Sequence, residues 1–197
     1  MATIGLSKPI YAVYSASGST VTYSNGGLLG KYTELSISLN NGDNKFYADN
    51  AIAETDDQFG GGTVTITTDD LRPDALVGAL GLVEEAIAVT DVATTDAAWL
   101  ISNDNQSIPY IALGGVAKKV TDGKIGYVGI VLDKVKLQNP NESITTQGET
   151  ITWQTSELTG DIFRSDKATH DWKRVTSPLD TEAEAIAAIT AYLGITL

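Results

Sequence analysis

Cysteine is absent from the chain, so no disulfide, thiolate metal centre or cysteine nucleophile can be built from it. Histidine occurs once, as His170, which leaves a Ser-His-Asp arrangement a single candidate base. No serine stands in the G-x-S-x-G setting that lifts a nucleophile onto a strand-to-helix turn. Cations are scarce: 13 Lys and Arg stand against 25 Asp and Glu, a formal net charge of -12. Such a body repels phosphate, which excludes a protein that grips nucleic acid through counterion release. No apolar run approaches the roughly 20 residues that a spanning helix needs. The opening MATIGLSKPIYAVY lacks the basic-then-apolar order of an export signal. These two readings predict a protein made in a cytoplasm, with no membrane partner. Glycosylation patterns at Asn105 and Asn141 then carry little meaning, and both sit in polar, turn-like text.

What is present points to a folded body. Apolar residues make up 42% and charged residues 19% of 197, enough to offset the ordering entropy within one generous domain. With no internal repeat and no low-complexity linker, the reading is a single domain over 1–197. Several segments alternate with the period of a half-buried strand. In 34–39, Leu35, Ile37 and Leu39 oppose Glu34, Ser36 and Ser38; in 63–67, Val64 and Ile66 oppose Thr63, Thr65 and Thr67. In 150–155, Ile151 and Trp153 oppose Thr150, Thr152 and Gln154. Runs at 9–14, 98–102, 108–113 and 125–137 are rich in Ile, Val and Tyr and bounded by turn formers. Gly126 and Gly129 predict a bend or bulge in the last of these. The class expected is mainly β with short helices, an α+β arrangement built on a sandwich or open barrel.

Two helices interrupt the strands. The first follows Asp69-Asp70-Leu71-Arg72, takes Pro73 in its first turn and stops at Gly81. The second begins near Asp180 or Thr181 and places Ala185, Ile186, Ile189 and Leu193 on one stripe before Gly194. It either packs on its own sheet or caps a neighbouring subunit. Residues 40–62 read as one long acidic loop, with Asp43, Asp49, Glu54, Asp56 and Asp57 against Lys45 alone; Phe46, Tyr47 and Phe59 are possible anchors. Residues 138–149 read as an extended hairpin loop. Five of the thirteen cations, Lys118, Lys119, Lys124, Lys134 and Lys136, crowd one short stretch. They are either a basic contact for an acidic neighbour or an ordinary solvated face.

Chemical motifs are few. Gly60-Gly61-Gly62 precedes a strand and lacks the lysine and hydroxyl of a phosphate loop, so it reads as backbone freedom at a strand entry. The acidic residues of 43–57 lack the spacing of a calcium loop. Adjacent carboxylates at 56–57, 69–70 and 84–85 point to opposite faces of a strand and cannot flank a glycosidic bond. No metal, cofactor or catalytic residue is expected, although His170 or an acidic pair keeps a hydrolase as an alternative. Trp99, Trp153 and Trp172 supply a further one, a carbohydrate- or receptor-binding β-sandwich module that stacks sugar rings; Trp153 on the apolar face of its strand argues against it.

An ordered series of segments then stands out: IGLSKPIYAVY, ELSISLNNGDNKFYADNAIAE, FGGGTVTITTDDL, DALVGALGL, GYVGIVLDKVKL and ETITWQTSELTG. In order and spacing it resembles the major tail proteins of siphophages, the phi13-type group in particular, over most of the chain. The resemblance implies a non-enzymatic virion subunit, assembled in the bacterial host cytoplasm. It implies a β-sandwich-like fold with a flanking helix, in hexameric rings that stack into a tube whose inner strands join as one barrel. Its implied partners are further copies of itself, a tape-measure protein, and tail terminator and distal tail proteins, with DNA passing through the lumen unbound. On this view the 40–62 segment reaches the neighbouring ring, and Ser36, Ser38, Thr63, Thr65, Thr67, Thr150 and Thr152 are candidates to face the lumen.

Overall fold

A computed structural model describes residues 2–41, 44–48, 51–56, 58–88, 97–141, 144–146 and 153–197; within 41–57 it describes backbone. The chain is mainly β, with two short helices and one large antiparallel sheet. The strands are β1 (Ala2–Ser17), β2 (Thr20–Leu28), β3 (Tyr32–Asn41), β4 (Asn44–Ala48), β5 (Ala51–Asp56), β6 (Phe59–Thr68), β7 (Val83–Ile87), β8 (Ala97–Ile101), β9 (Tyr110–Thr121), β10 (Lys124–Leu137), β11 (Ser156–Ile162) and β12 (Lys173–Val175). The helices are α1 (Pro73–Leu80) and α2 (Glu182–Leu193).

The main sheet runs β2-β1-β9-β10-β11-β6-β3, with β12 beside the middle of β10. It rolls round an interior in which Tyr11, Ile111, Leu113, Leu132 and Val135 meet Val64, Ile66, Leu158 and Ile162. Helix α1 covers that interior with Ala75, Ala79 and Leu80. The roll brings β3 back against β1 without a ladder between them, which makes a partial barrel. The Tyr32 hydroxyl donates to the Gly114 carbonyl across the seam, at 3.1 Å.

A second core lies on the outer face of β1, β9 and β10, where Ile10, Ala12, Ala112, Val116 and Val131 receive Ala185, Ile189 and Leu193 of α2. Alternation along β1 and β9 therefore sends residues to two cores in turn. This is why Ile111–Ala117 is buried without a break. The helix sits so close that a Cβ at Gly114 would lie 3.0 Å from Ile189 Cγ2, and one at Gly129 3.1 Å from Ile189 Cγ1.

Both helices form where their caps predict. Pro73 opens α1, and Gly81 ends it in the left-handed region at φ 69. For α2, Thr181 and Glu184 make a reciprocal capping box and Gly194 closes the last turn at φ 63. Its stripe packs on its own sheet. Long β9 and β10 are joined by Asp122-Gly123 at φ 51 and 77, the doubly positive two-residue turn whose twist suits a hairpin.

Two sequence expectations are corrected. The 40–62 segment is not one loop: β3 continues to Asn41, β4 and β5 pair as a separate hairpin, and β6 has begun by Phe59. A two-stranded ladder needs only backbone pairing, so its formation does not require the apolar alternation that the sequence reading relied on. Of the strand expected over 150–155, residues 150–152 lie outside the described residues, and the rest is not strand. Residues 153–155 are not in a strand, Trp153 is 88% exposed, and β11 starts at Ser156 opposite Thr68. The ladder stops there because β6 ends as Asp69 turns away, its carboxylate accepting from the amides of Lys31 and Asp70. The bend or bulge expected within 125–137 is present as a slip of the β9–β10 register between Leu132 and Val135, while pairing at Gly126 and Gly129 is regular. The glycines admit neighbours instead: Ile189 at Gly129, and Pro178 at Gly126.

Candidate assembly surfaces

Three surfaces gather the residues that the sequence singles out. The first is the outward face of β3, β6 and β11. Register sets Glu34 beside Thr67 and Glu157, Ser36 beside Thr65 and Thr159, and Ser38 beside Thr63 and Asp161. Directly paired residues share a face, so nine side chains form a patch of hydroxyls and carboxylates without a cation on these three strands, bordered by Lys136 of β10 beside Asp161 and opposite the core-facing Leu35, Ile37, Val64, Ile66 and Leu158. Ser36, Ser38 and Thr63 are exposed, and Thr65 and Thr67 half-buried. Glu157, Thr159 and Asp161 were missed, although the alternation of buried Leu158, Gly160 and Ile162 in β11 is the same period-2 signal. Thr150 and Thr152 lie outside the described residues.

The second is the pair of open borders. β2 is paired only with β1, and β3 only with β6, so each end of the rolled sheet presents a row of backbone groups without a ladder partner among the described residues. Beyond the reach of β2, which covers β1 from Ile10 onward, Ala2–Ser7 is laddered on one side only. A groove of about 560 Å³ lies here, lined by Leu6, Ser7, Lys8, Lys31, Tyr32 and Arg72 among others.

The third is the lysine-rich stretch, which the fold divides. Lys118, Lys119 and Lys124 stand near the Asp122-Gly123 turn, and Lys118 lies 6.0 Å from the Tyr127 ring. Lys134 and Lys136 sit about 30 Å away along β10 at some 3.3 Å per residue. Lys134 is taken up internally: its ammonium pairs with Asp166 at 2.6 Å and lies over the rings of Tyr14 and Tyr110. Lys136 is exposed, 5.4 Å from the Tyr110 ring. The sequence treats the five as one cluster, yet strand rise and internal pairing leave three at the hairpin end.

Of the residues offered as contacts in 40–62, Asp43, Asp49 and Asp57 lie outside the described residues. Phe46 and Tyr47 fall on β4, and Glu54 and Asp56 on β5. Phe59 is used by its own chain, stacked on Trp172 with ring centroids 4.5 Å apart and planes 2° from parallel. Trp99 and Trp153, by contrast, are 57% and 88% exposed.

One polar cluster was invisible to sequence reasoning. Asp133, fully buried at the β10 irregularity, accepts from the hydroxyls of Tyr23 and Tyr192. Its carboxylate lies 3.5 Å from Arg174 and 4.0 Å from Lys167. Burial, the Tyr192 hydroxyl and the Asp133 charge hold the Tyr23 phenol well above its usual range. Tyr14 is pushed up to about 12, first by burial. Asp166 is held below the usual carboxylate range by hydrogen bonds from Lys134 and then Tyr14. The cluster ties β1, β2, β10 and α2 to the 163–172 segment with charge and aromatic contacts. His170 stands at its rim in an exposed turn, with Nδ1 3.2 Å from the Ser165 carbonyl. Among the described residues no group of three or more His, Cys, Asp or Glu is arranged to hold a metal ion. No helix of the described residues is long and apolar enough to cross a membrane. No protein-family model matches the chain, and no curated protein matches it.

Proposed function

We propose that this chain is a structural subunit of a bacteriophage tail tube, forming hexameric rings that stack round a DNA-conducting lumen. The observation that carries the reading is the pair of open borders on a single rolled sheet. Unpaired strand edges invite pairing with another chain, and a ring of identical copies would join them into a continuous wall. The ordered resemblance to siphophage major tail proteins supplies the ring and the tube. The cation-free patch on β3, β6 and β11 suits a wall past which DNA slides, because counterion release needs lysines and arginines. In this reading the chain is not an enzyme, works without a cofactor and resides in the virion tail. Its partners are its own copies, a tape-measure protein, and the tail terminator and distal tail proteins.

Electron microscopy of the purified protein tests this: rings or tubes of uniform bore are expected. If no concentration or salt yields them, the proposal is abandoned. Deleting 43–57 is expected to leave a folded monomer that does not polymerise, if the β4–β5 hairpin reaches the next ring.

Exposed Trp153 and Trp99 favour a second reading, a carbohydrate- or receptor-binding module of a tail, since the core position expected for Trp153 is not where the residue lies. Specific binding of a glycan by the lone monomer on an array, or by saturation-transfer NMR, would select it.

A further inference from the structure

Among the described residues, β7 and β8 pair only with each other and form a hairpin separate from the main sheet. It leaves the body between two anchors. Gly81 at the end of α1 approaches the Ser107 carbonyl so closely that a Cβ would lie 2.4 Å from it, and Gln106 donates to the Leu80 carbonyl at 2.8 Å. The hairpin therefore stands at the Tyr110 end of β9. Its register places Val83 opposite Ile101, Glu85 opposite Trp99 and Ile87 opposite Ala97, which gathers these side chains on one face. Val83, Ile87 and Trp99 are 53%, 46% and 57% exposed and belong to neither core. Glu85 shares that face and Glu84 the other, and both are exposed.

At the far end of β9, about 36 Å away at some 3.3 Å per residue, the Asp122-Gly123 turn carries the complementary set. Ile125 and Ile4 are 52% and 57% exposed there; the register sets Lys118 on the face of Ile125, and Lys119 with Lys124 on the other face of the same turn. Among the described residues no ion pair engages these three lysines, Glu84 or Glu85. One pole of the domain thus bears apolar side chains with carboxylates, and the opposite pole apolar side chains with ammonium groups. In a chain of net charge -12, a local basic pole has an acidic counterpart in every other copy.

We infer that the β7–β8 hairpin of one copy docks on the β9–β10 turn of the next, a head-to-tail contact between unlike surfaces. Such a contact propagates as an open array unless its rotation closes a ring, whereas a two-fold contact ends at a dimer. The apolar side chains supply the burial, and the opposed charges set direction and speed the encounter. The inference rests on the tube reading and names the surface that carries one set of its subunit contacts.

Reciprocal charge reversal tests it. Glu84→Lys/Glu85→Lys and Lys119→Glu/Lys124→Glu change exposed or half-buried side chains outside both cores, so each variant is expected to keep the far-UV circular dichroism and melting of the parent. By sedimentation velocity and negative-stain microscopy, each alone is expected to need about 10-fold more protein before polymer appears. An equimolar mixture, in which every junction pairs unlike charges, is expected to recover the parental onset. Raising ionic strength tenfold from ~0.05 M is expected to weaken the parent and the mixture alike. Reversed variants that polymerise like the parent, or a mixture no better than its components, overturn this contact and leave the tube reading standing. A parent that stays monomeric throughout removes both.

Discussion

Helix α2 is fastened to its sheet by Ala185, Ile189 and Leu193, of which Ile189 is seated over two glycines, and Ile189→Ala tests that fastening. Ile189 is 1% exposed and lies against Gly114 of β9 and Gly129 of β10, where an added Cβ would approach it to 3.0 and 3.1 Å. Truncation removes three carbons, about 2.4 kcal/mol at ~0.8 kcal/mol for each. The floor of the slot is hydrogen-bonded strand backbone, which cannot move in to fill the space, so a cavity contribution of about 1 kcal/mol is added. The expected loss is about 3.5 kcal/mol, or about 10 °C in melting temperature for a domain of this size. Urea unfolding of the monomer at low protein concentration, followed by circular dichroism, reads it directly. Gly129→Ala alone is expected to be destabilising, because its Cβ meets both Ile189 and Thr176 at little over 3 Å, 3.1 and 3.2 Å respectively. In the double variant the new methyl enters space vacated by Ile189, so the two losses should fall short of additivity by about 1 kcal/mol. A loss below about 1 kcal/mol for Ile189→Ala would refute the reasoning. It would mean that α2 is not held by its own subunit, and the helix would become a candidate to cap a neighbour.

The remaining expectations concern charge and capping. Asp133→Ala should cost about 3 kcal/mol in urea unfolding, because it strips the hydroxyls of Tyr23 and Tyr192 and the charges of Lys167 and Arg174 of a fully buried partner. Asp166 has a folded pKa below its unfolded value, so its contribution is complete above the ordinary carboxylate range and is lost as pH falls through the folded value. Urea midpoints measured from neutral to acid pH should therefore fall less steeply for Asp166→Asn than for the parent, and equal slopes would count against the Lys134 and Tyr14 contacts. Thr181→Ala removes the hydroxyl that accepts from the Glu184 amide and should lower stability by about 1 kcal/mol, measured in the same unfolding assay.

Local signals carried some features and missed others for physical reasons. The caps of both helices were legible because Pro73, Gly81, Thr181, Glu184 and Gly194 act within one turn of themselves. The hydroxyl faces of β3 and β6 were legible because a strand with one buried face must alternate. The Asp122-Gly123 turn carries an equally local hairpin signal, which the sequence reading did not use. The β4–β5 hairpin was not legible, since backbone pairing leaves no apolar pattern behind. Trp153 misled because alternation over six residues implies a strand only if a partner continues opposite it, and β6 ends at Thr68.

The sequence alone determined the mainly-β class, the two helices with their ends, the acidic balance, and which side of each regular strand turns inward. Those properties arise from backbone preference and periodicity over a few residues. Tertiary structure decided what each face meets: a second core under α2 that buries β9 on both sides, a nine-residue face assembled by the register of three strands, and a buried Asp133 among tyrosines and cations distant in the chain. It also decided that five neighbouring lysines part company, two toward Tyr110 and three toward the turn at the opposite pole from Trp99. Contacts of that kind depend on how the sheet rolls, which no short window of residues encodes.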